Sequence, residues 1–279
     1  MQMDLKFKKV SFHENAILFG RDSTPYITAV EFDGKNSIEI FCRKKNKVTS
    51  MKVAFKPFVL LEETAFMDGW DGTYEAKRLK GDAYYKYLVL LETWADLQLL
   101  LKHFKKKTGA TPASFSAPFF YLNDPVHQYL LISGQTLFKE MLYGDLLRLQ
   151  LDIETYCAEG YEFSNPHRVE DRITLISLSD SSGWEHVISG KEYDEKEMLE
   201  VMVEQINLRD PDVIEGHNIF NFDLVYIEAR ARRFKVPLAI GRNKQTIKSH
   251  SSRFNIAERT ISYKKFEVYG RHIVDTYLL

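Results

Sequence analysis

The sequence predicts a mixed α/β (α+β) protein with two domains, and three observations support this class. The chain has 279 residues, which is enough for two domains. Short segments of alternating apolar and polar residues occupy roughly the first sixty positions, which indicates antiparallel β structure. After about residue 145, strand patterns alternate with helical patterns. We therefore predict a mostly antiparallel β domain over residues 1–145 and a mixed-sheet α/β domain over residues 146–279.

The composition excludes several classes of protein. Hydrophobic residues make up 44% of the chain and aromatic residues 13%, so a disordered or fibrous protein is not expected. The two cysteines, Cys42 and Cys157, are far apart and lack metal-ligand spacing, which indicates a reducing compartment. No apolar segment resembles a signal peptide or approaches the roughly 18 residues that span a bilayer. We expect a soluble, cytoplasmic protein with no membrane contact.

The first domain contains a hairpin, a further strand and two helices in the prediction. Residues 26–32 and 37–41 alternate around the turn sequence Asp-Gly-Lys-Asn, and residues 55–61 form another strand. Thr93 caps a helix that ends at Gly109, and three lysines at 105–107 fill its last turn. The helix dipole explains these lysines without a ligand. Residues 126–132 form a shorter helix.

The second domain begins with three predicted strands. They are followed by a helix, a fourth strand beside the first one, and a second helix. The ranges, in the same order, are residues 147–153, 172–179, 185–189, 195–207, 211–218 and 222–234. Three antiparallel strands followed by a helix and a parallel strand indicate an α/β layer of the RNase H type.

Two acids, Asp152 and Glu154, stand at the end of the first of these strands. Side chains two residues apart in a strand point to the same face, so the two carboxylates share one small volume. They repel each other unless a positive charge lies between them, and a hard divalent cation with oxygen ligands is the usual solution. The chain has 39 acidic residues, so a chance pair that is simply solvated is the alternative.

A third carboxylate, Asp223, falls at the start of the second helix, where it can converge on Asp152 and Glu154. Asn218 precedes it and is suited to hydrogen-bond a phosphate or a terminal base, and Phe222 is suited to pack against a base. Each has a structural alternative: Asp223 as a helix N-cap, Asn218 as a turn former and Phe222 as a core residue. The joint occurrence of these residues at strand ends favours a metal-dependent site that cleaves phosphodiesters.

A basic segment follows. The formal net charge of the chain is −1, yet residues 241–272 contain eight Lys or Arg and two Glu. The basic residues are Arg242, Lys244, Lys248, Arg253, Arg259, Lys264, Lys265 and Arg271. Positive charge beside an acidic metal site suits a phosphate-bearing substrate, and a solvated hairpin is the alternative.

The sequence resembles the family B DNA polymerases. The sequence Leu-Asp-Ile-Glu-Thr at 151–155 and the pattern Asn-x-x-x-Phe-Asp at 218–223 resemble the first and second exonuclease motifs of that family. Residues 55–61, 121–134, 162–173 and 270–277 resemble further segments. The resemblance is strong from residue 147 onward and weak before it.

This resemblance implies a 3′–5′ proofreading exonuclease with an RNase H-like fold. Asp152, Glu154 and Asp223 would bind two Mg²⁺ or Mn²⁺ ions, and water would attack the last phosphodiester of a single-stranded 3′ end. DNA is the implied partner, with a sliding clamp for the full-length protein. The implied contacts to the DNA end at the site are Asn218 and Phe222. The implied contacts of the basic segment, which resembles the family's hairpin near the primer–template junction, are Arg242, Lys244, Lys248, Arg253, Lys264 and Lys265.

The sequence also departs from the family pattern. The third exonuclease motif, Tyr-x-x-x-Asp, does not follow Asp223, and Asp275 has Arg271 rather than Tyr four residues before it. We therefore do not assign Asp275 as the missing acid. We expect a fragment whose exonuclease domain is incomplete at its C-terminus and has weak activity or none by itself. The alternatives are a non-catalytic single-stranded nucleic-acid-binding module with a vestigial nuclease site, and a stand-alone nuclease.

Overall fold

A computed structural model describes residues 20–114, 117–256 and 259–278. The first 19 residues of the predicted N-terminal domain lie outside the described residues. The chain divides into two compact units, one comprising Met1–Cys42 and Thr49–Glu140 and the other Arg43–Val48 and Met141–Leu279. The predicted domain boundary after residue 145 stays a prediction. The described part contains no helix that is both long and apolar enough to cross a membrane.

The first unit is built on two antiparallel sheets, as its alternating sequence predicts. One sheet has the order β1–β2–β3 and the other the order β5–β6–β4–β7. The strands are β1 (Ile27–Phe32), β2 (Ser37–Lys44), β3 (Lys47–Ala54), β4 (Phe58–Leu61), β5 (Tyr74–Arg78), β6 (Tyr87–Leu91) and β7 (Phe119–Phe120). Strands β3, β5, β6 and β7 are absent from the sequence-based prediction. Every side chain of β5 is exposed, so that strand has no apolar alternation to reveal it.

Two helices, α1 (Trp94–Thr108) and α2 (Pro125–Ser133), complete the first unit. The Thr93 side chain accepts a hydrogen bond from the Asp96 amide, and Gly109 ends α1 in a left-handed conformation, so the predicted caps are confirmed. The apolar face of α1 packs against the sheet through Leu97, Leu100 and Phe104.

The second unit has a five-stranded mixed sheet with the order β10–β9–β8–β11–β14. Strands β8, β9 and β10 run antiparallel, whereas β11 pairs in parallel with both β8 and β14. The mixed sheet of the sequence-based prediction is therefore confirmed. The strands are β8 (Arg148–Thr155), β9 (Ile173–Asp180), β10 (Glu185–Ser189), β11 (Val213–Gly216), β12 (Lys248–Ile256), β13 (Arg259–Glu267) and β14 (His272–Asp275).

Two helices, α3 (Glu195–Arg209) and α4 (Asp223–Phe234), pack on this sheet, and β12 and β13 form a separate antiparallel hairpin. The methionines of α3, Met198 and Met202, are buried in the core, as their helical spacing predicts. The strand order brings the carboxyl ends of β8 and β11 side by side, and this edge carries the acidic residues singled out by the sequence.

Candidate active site

Asp152 and Glu154 are exposed on one face of β8, whereas their neighbours Leu151 and Ile153 are buried. This alternation follows from the two-residue period of a strand. In the register with β9, Asp152 lies opposite Ser177 and Glu154 opposite Leu175. The end of β8 thus presents two carboxylates above an apolar core.

Gly216 allows the end of β11 to approach β8 closely. A Cβ atom at this position would lie 2.8 Å from the carbonyl oxygen of Leu151, which is shorter than a real Cβ contact. Glycine is therefore required here for steric reasons. The chain continues into the active-site loop, residues 217–222, where Asn218 has a left-handed backbone with φ of 60°.

Asp223 is the first residue of α4, and its carboxylate lies directly against β8. Its Oδ1 accepts a hydrogen bond of 3.1 Å from the amide of Ile153, the residue between Asp152 and Glu154. The N-cap of α4 is Phe222, and no side chain caps this helix. The carboxylate of Asp223 is therefore directed to the acidic strand end and does not serve as the helix cap.

The electrostatic environment of Asp223 is unfavourable for a negative charge. Its side chain is only 2% exposed. Burial raises the pKa of Asp223 to about 6; backbone amides, including that of Ile153, oppose the rise, and the charges of Asp152 and Asp275 add to it. The site thus concentrates negative charge around one buried carboxylate.

The chemistry of these donors suits a hard divalent cation. Within residues 20–114, 117–256 and 259–278, no three His, Cys, Asp or Glu side chains stand close enough together to hold a metal ion. Asp152 and Glu154 are exposed and able to change rotamer, however, whereas Asp223 is held by Ile153. Carboxylate oxygens are the ligands that Mg²⁺ and Mn²⁺ prefer, and a cation would offset the negative charge that is buried at Asp223.

The two other residues singled out beside the acids lie on the active-site loop. The Asn218 side chain is partly buried, and its Oδ1 is 3.3 Å from Nδ2 of Asn221. The Phe222 side chain is 38% exposed, and its ring centroid lies 5.7 Å from that of Tyr226. Phe222 is therefore only partly packed and keeps an open ring surface for a ligand.

Four of the basic residues predicted to contact DNA, Lys244, Lys248, Arg253 and Lys265, have exposed side chains. Lys248 and Arg253 stand on β12 and Lys265 on β13, where Lys265 pairs with Glu267 at 3.2 Å. This hairpin thus carries accessible positive charge.

Arg242 and Lys264 have internal partners. The Arg242 side chain is 5% exposed, and its guanidinium donates to Asp210, Asp212 and backbone carbonyls at the base of the hairpin. Arg242 therefore stabilises the fold, and we leave it out of the DNA contacts proposed below. Lys264 forms an ion pair with Glu228 of α4 and remains 34% exposed.

Two acidic residues near the site have roles that the sequence analysis does not assign. Asp275, the last residue of β14, is buried and accepts hydrogen bonds from the active-site loop. Glu228 is buried on α4 and binds both strands of the hairpin through Ser249 and Lys264. Asp275 is the last residue of β14, and Asp152 lies toward the end of β8. An acid that follows apolar strand residues is the sequence pattern that the two share, and it is the signal that could have pointed to Asp275.

Comparison with known proteins shows that this chain is similar to DNA polymerases. Residues 137–279, or 143 of the 279 residues, match the family model for the exonuclease domain of DNA polymerase family B. A DNA polymerase from Thermococcus litoralis is 29% identical over 262 residues, which cover 80% of this chain. DNA polymerase 1 from Pyrococcus abyssi is 28% identical over 255 residues, or 78% of this chain.

The chain spans only a part of each of these relatives, 14% of the first and 30% of the second. A similar fold is found in the family B DNA polymerase of Pyrobaculum calidifontis, with a TM-score of 0.60 and 19% sequence identity. That match covers 89% of this chain and 36% of the other. At this identity the structural match establishes the likeness of the folds alone.

Proposed function

The chain belongs to DNA polymerase family B, and from this premise we propose that its second unit is a proofreading exonuclease that removes nucleotides from single-stranded 3′ ends of DNA. The observation that carries the proposal is the hydrogen bond between Oδ1 of Asp223 and the amide of Ile153. This bond holds a third carboxylate beside Asp152 and Glu154, where phosphodiester chemistry needs concentrated oxygen donors.

Asp152, Glu154 and Asp223 are the residues that would hold one or two Mg²⁺ or Mn²⁺ ions. When bound, such ions activate water and offset the negative charge that develops on the scissile phosphate. The protein's part is to hold Asp223 rigidly while Asp152 and Glu154 remain accessible from solvent. Because the pKa of Asp223 is about 6, this carboxylate is ionised and able to act as a ligand at neutral pH.

The active-site loop supplies contacts to the DNA end. We propose that the side-chain amide of Asn218 hydrogen-bonds a phosphate or base of the terminal nucleotide. The exposed face of the Phe222 ring stacks on a base. Phosphates farther along the strand would be contacted by four exposed basic side chains, those of Lys244, Lys248, Arg253 and Lys265. Lys264 would contribute less, because it forms an ion pair with Glu228. A DNA-processing role and two free, partly buried cysteines also support a reducing, cytoplasmic compartment.

Hydrolysis of a 5′-labelled single-stranded oligonucleotide in the presence of Mn²⁺ tests this function. We expect the 279-residue chain to shorten the oligonucleotide slowly from its 3′ end, in line with the weak activity that its sequence predicts, and Asp152→Ala to slow the reaction by about 100-fold or more. Glu185→Ala is the matched control, because Glu185 is an exposed acid at the start of β10.

The two main functions predict different outcomes. A non-catalytic binding module would retain the oligonucleotide without shortening it, and the proposed function would then be wrong. Equal rates for the Asp152→Ala variant and the unmodified chain would contradict the assignment of the metal ligands.

A further inference from the structure

Asp275 is a buried carboxylate that the proposed chemistry does not use. It is the last residue of β14 and is 4% exposed. In the parallel register between β14 and β11, it lies opposite Gly216, the residue from which the active-site loop departs. Asp275 thus stands at the root of the loop that carries Asn218 and leads into Asp223.

Both carboxylate oxygens of Asp275 accept hydrogen bonds from backbone amides. Oδ1 accepts from Asn218 at 2.8 Å and from Tyr277 at 3.0 Å, and Oδ2 accepts from Phe220 at 3.1 Å. The Thr276 amide also donates to the carbonyl of Gly216 at 3.0 Å. Asp275 and its neighbour therefore connect β14 to the start of the loop, at Gly216, Asn218 and Phe220.

The loop requires such a partner. Asn218 adopts a left-handed backbone, and Ile219 and Phe220 are 0% and 8% exposed, so water has little access to the amides beside them. Buried amides need acceptors, and a strained backbone persists only where its surroundings hold it. Asp275 supplies acceptors to two amides of this short loop at once.

The same contacts distinguish the role of Asp275 from that of Asp152 and Glu154. A carboxylate whose two oxygens face amide N–H groups is directed toward the loop backbone, whereas Asp152 and Glu154 are exposed to solvent. We propose that Asp275 is a positioning residue of the exonuclease site, which fixes the backbone of residues 218–220 and thereby places Asn218 against the DNA end. This inference rests on the proposed function and names Asp275 as the residue that positions Asn218 in that site.

Asp275→Asn is the sharpest test, because asparagine keeps the size of the side chain and one acceptor oxygen. Its amide group would face the N–H of Asn218 or Phe220, donor against donor. We expect amide hydrogen exchange in residues 217–222 to become about tenfold faster or more. We also expect kcat for the single-stranded oligonucleotide to fall by about 10- to 100-fold, because a small displacement of a contacting group has this effect.

A double variant tests whether Asp275 acts through Asn218. Asn218→Gly removes the side chain while glycine keeps the left-handed backbone. If Asp275 acts by placing Asn218, the variant with both substitutions is within about threefold of the slower single variant, whereas independent effects would multiply. A multiplicative loss would overturn the proposal.

Asp180→Asn is the matched control. Asp180 is another buried acid, 6% exposed, that accepts from the Ser182 amide at 2.9 Å. It lies opposite Leu149, at the other end of β8 from Asp152. We expect Asp180→Asn to lower Tm and leave kcat unchanged. A variant of Asp275 that lowers Tm alone, like this control, would overturn the positioning role.

Two further outcomes are informative. A loss of Mn²⁺ affinity in Asp275→Asn well beyond the roughly 10- to 100-fold that a neighbouring, non-ligating group causes would make Asp275 a ligand and overturn the proposal. If the unmodified chain hydrolyses no DNA, the proposed function fails. Hydrogen exchange and oligonucleotide affinity then still test Asp275, because unchanged loop protection in Asp275→Asn would overturn its role independently of catalysis.

Discussion

At the scale of single residues, Asp223 has the environment with the clearest chemical consequence. Its carboxylate is 2% exposed and lies beside the charge of Asp152. Burial is the largest cause that raises its pKa, and no positive side chain of the described residues is among the causes. Ionisation of Asp223 therefore opposes folding unless a cation binds.

This environment predicts an unusual pH dependence of stability. The pKa of Asp223 rises from 3.8 in the unfolded chain to about 6 in the folded one. Between these two pKa values the folded state binds more protons than the unfolded chain, so the free energy of unfolding falls as pH rises. The full loss of stability is reached above pH 6. This change in the pKa of Asp223 corresponds to on the order of 3 kcal/mol in the free energy of unfolding.

We therefore expect Asp223→Asn to stabilise the protein by about 1–3 kcal/mol near pH 7.5 in EDTA and to have little effect near pH 4. Asparagine retains an oxygen that can accept from Ile153. Urea unfolding at the two pH values measures the difference. Equal effects of the substitution at both values would contradict the assigned pKa.

Metal binding provides a second prediction for the same residue. Because a ligand carboxylate must be deprotonated, we expect Mn²⁺ to raise Tm above pH 6 and to lose about tenfold in affinity for each pH unit below it. Asp223→Ala should abolish the rise in Tm. A Tm that responds to Mn²⁺ equally in the Asp223→Ala variant would indicate a different metal site.

At the scale of secondary-structure elements, the hairpin β12–β13 is joined to the helix that begins with Asp223. Glu228 of α4 accepts from Ser249 Oγ at 2.8 Å and forms an ion pair with Lys264. The Phe220 ring stacks on Tyr263 with a centroid distance of 5.5 Å. Burial raises the pKa of Glu228, but hydrogen bonds from Lys264 and Ser249 outweigh it and leave that pKa below its usual value.

We expect Glu228→Gln to loosen the hairpin. The substitution removes the charge that pairs with Lys264 while the side chain stays only partly accessible, and breaking such a pair costs about 1–3 kcal/mol. Amide hydrogen exchange across β12 and β13 should become faster. The control is Glu267→Gln, because the exposed Lys265–Glu267 pair is worth about 0–1 kcal/mol. Equal exchange in the two variants would show that Glu228 does not hold the hairpin.

At the scale of the whole molecule, the distribution of charge matters more than its sum. The net charge is −1, which by itself attracts no polyanion, yet an exposed set of basic side chains stands on and beside the hairpin, namely Lys244, Lys248, Arg253 and Lys265. Contacts of these side chains with phosphates release counterions, so DNA affinity must fall as salt rises.

We expect replacement of Lys244, Lys248 and Arg253 by Ala to weaken single-stranded DNA binding and to lower the slope of log affinity against log salt by about 2. Fluorescence anisotropy over a salt series measures this slope. Replacement of Lys102, Lys105 and Lys106 on α1 removes the same charge from other exposed positions. An equal change in slope for both triple variants would place the DNA away from the hairpin.

Local sequence patterns were sufficient for much of the fold. The caps of α1 at Thr93 and Gly109, the strand β8 and the parallel position of β11 beside it were all predictable. Strand β5 was not, because all its side chains are exposed and its sequence therefore carries no apolar period. The acidic residues Asp152 and Glu154 were found because strand periodicity places them on one face.

The sequence by itself determined the family, the mixed sheet and which residues carry carboxylates at the strand ends. These features depend on residue type and on spacing along the chain, which neighbouring residues set. Only the tertiary structure decided that Arg242 is internal while Lys244 is exposed, and that both oxygens of Asp275 face the active-site loop. Such partners come from chain segments tens of residues apart, and their choice depends on packing that no local pattern records.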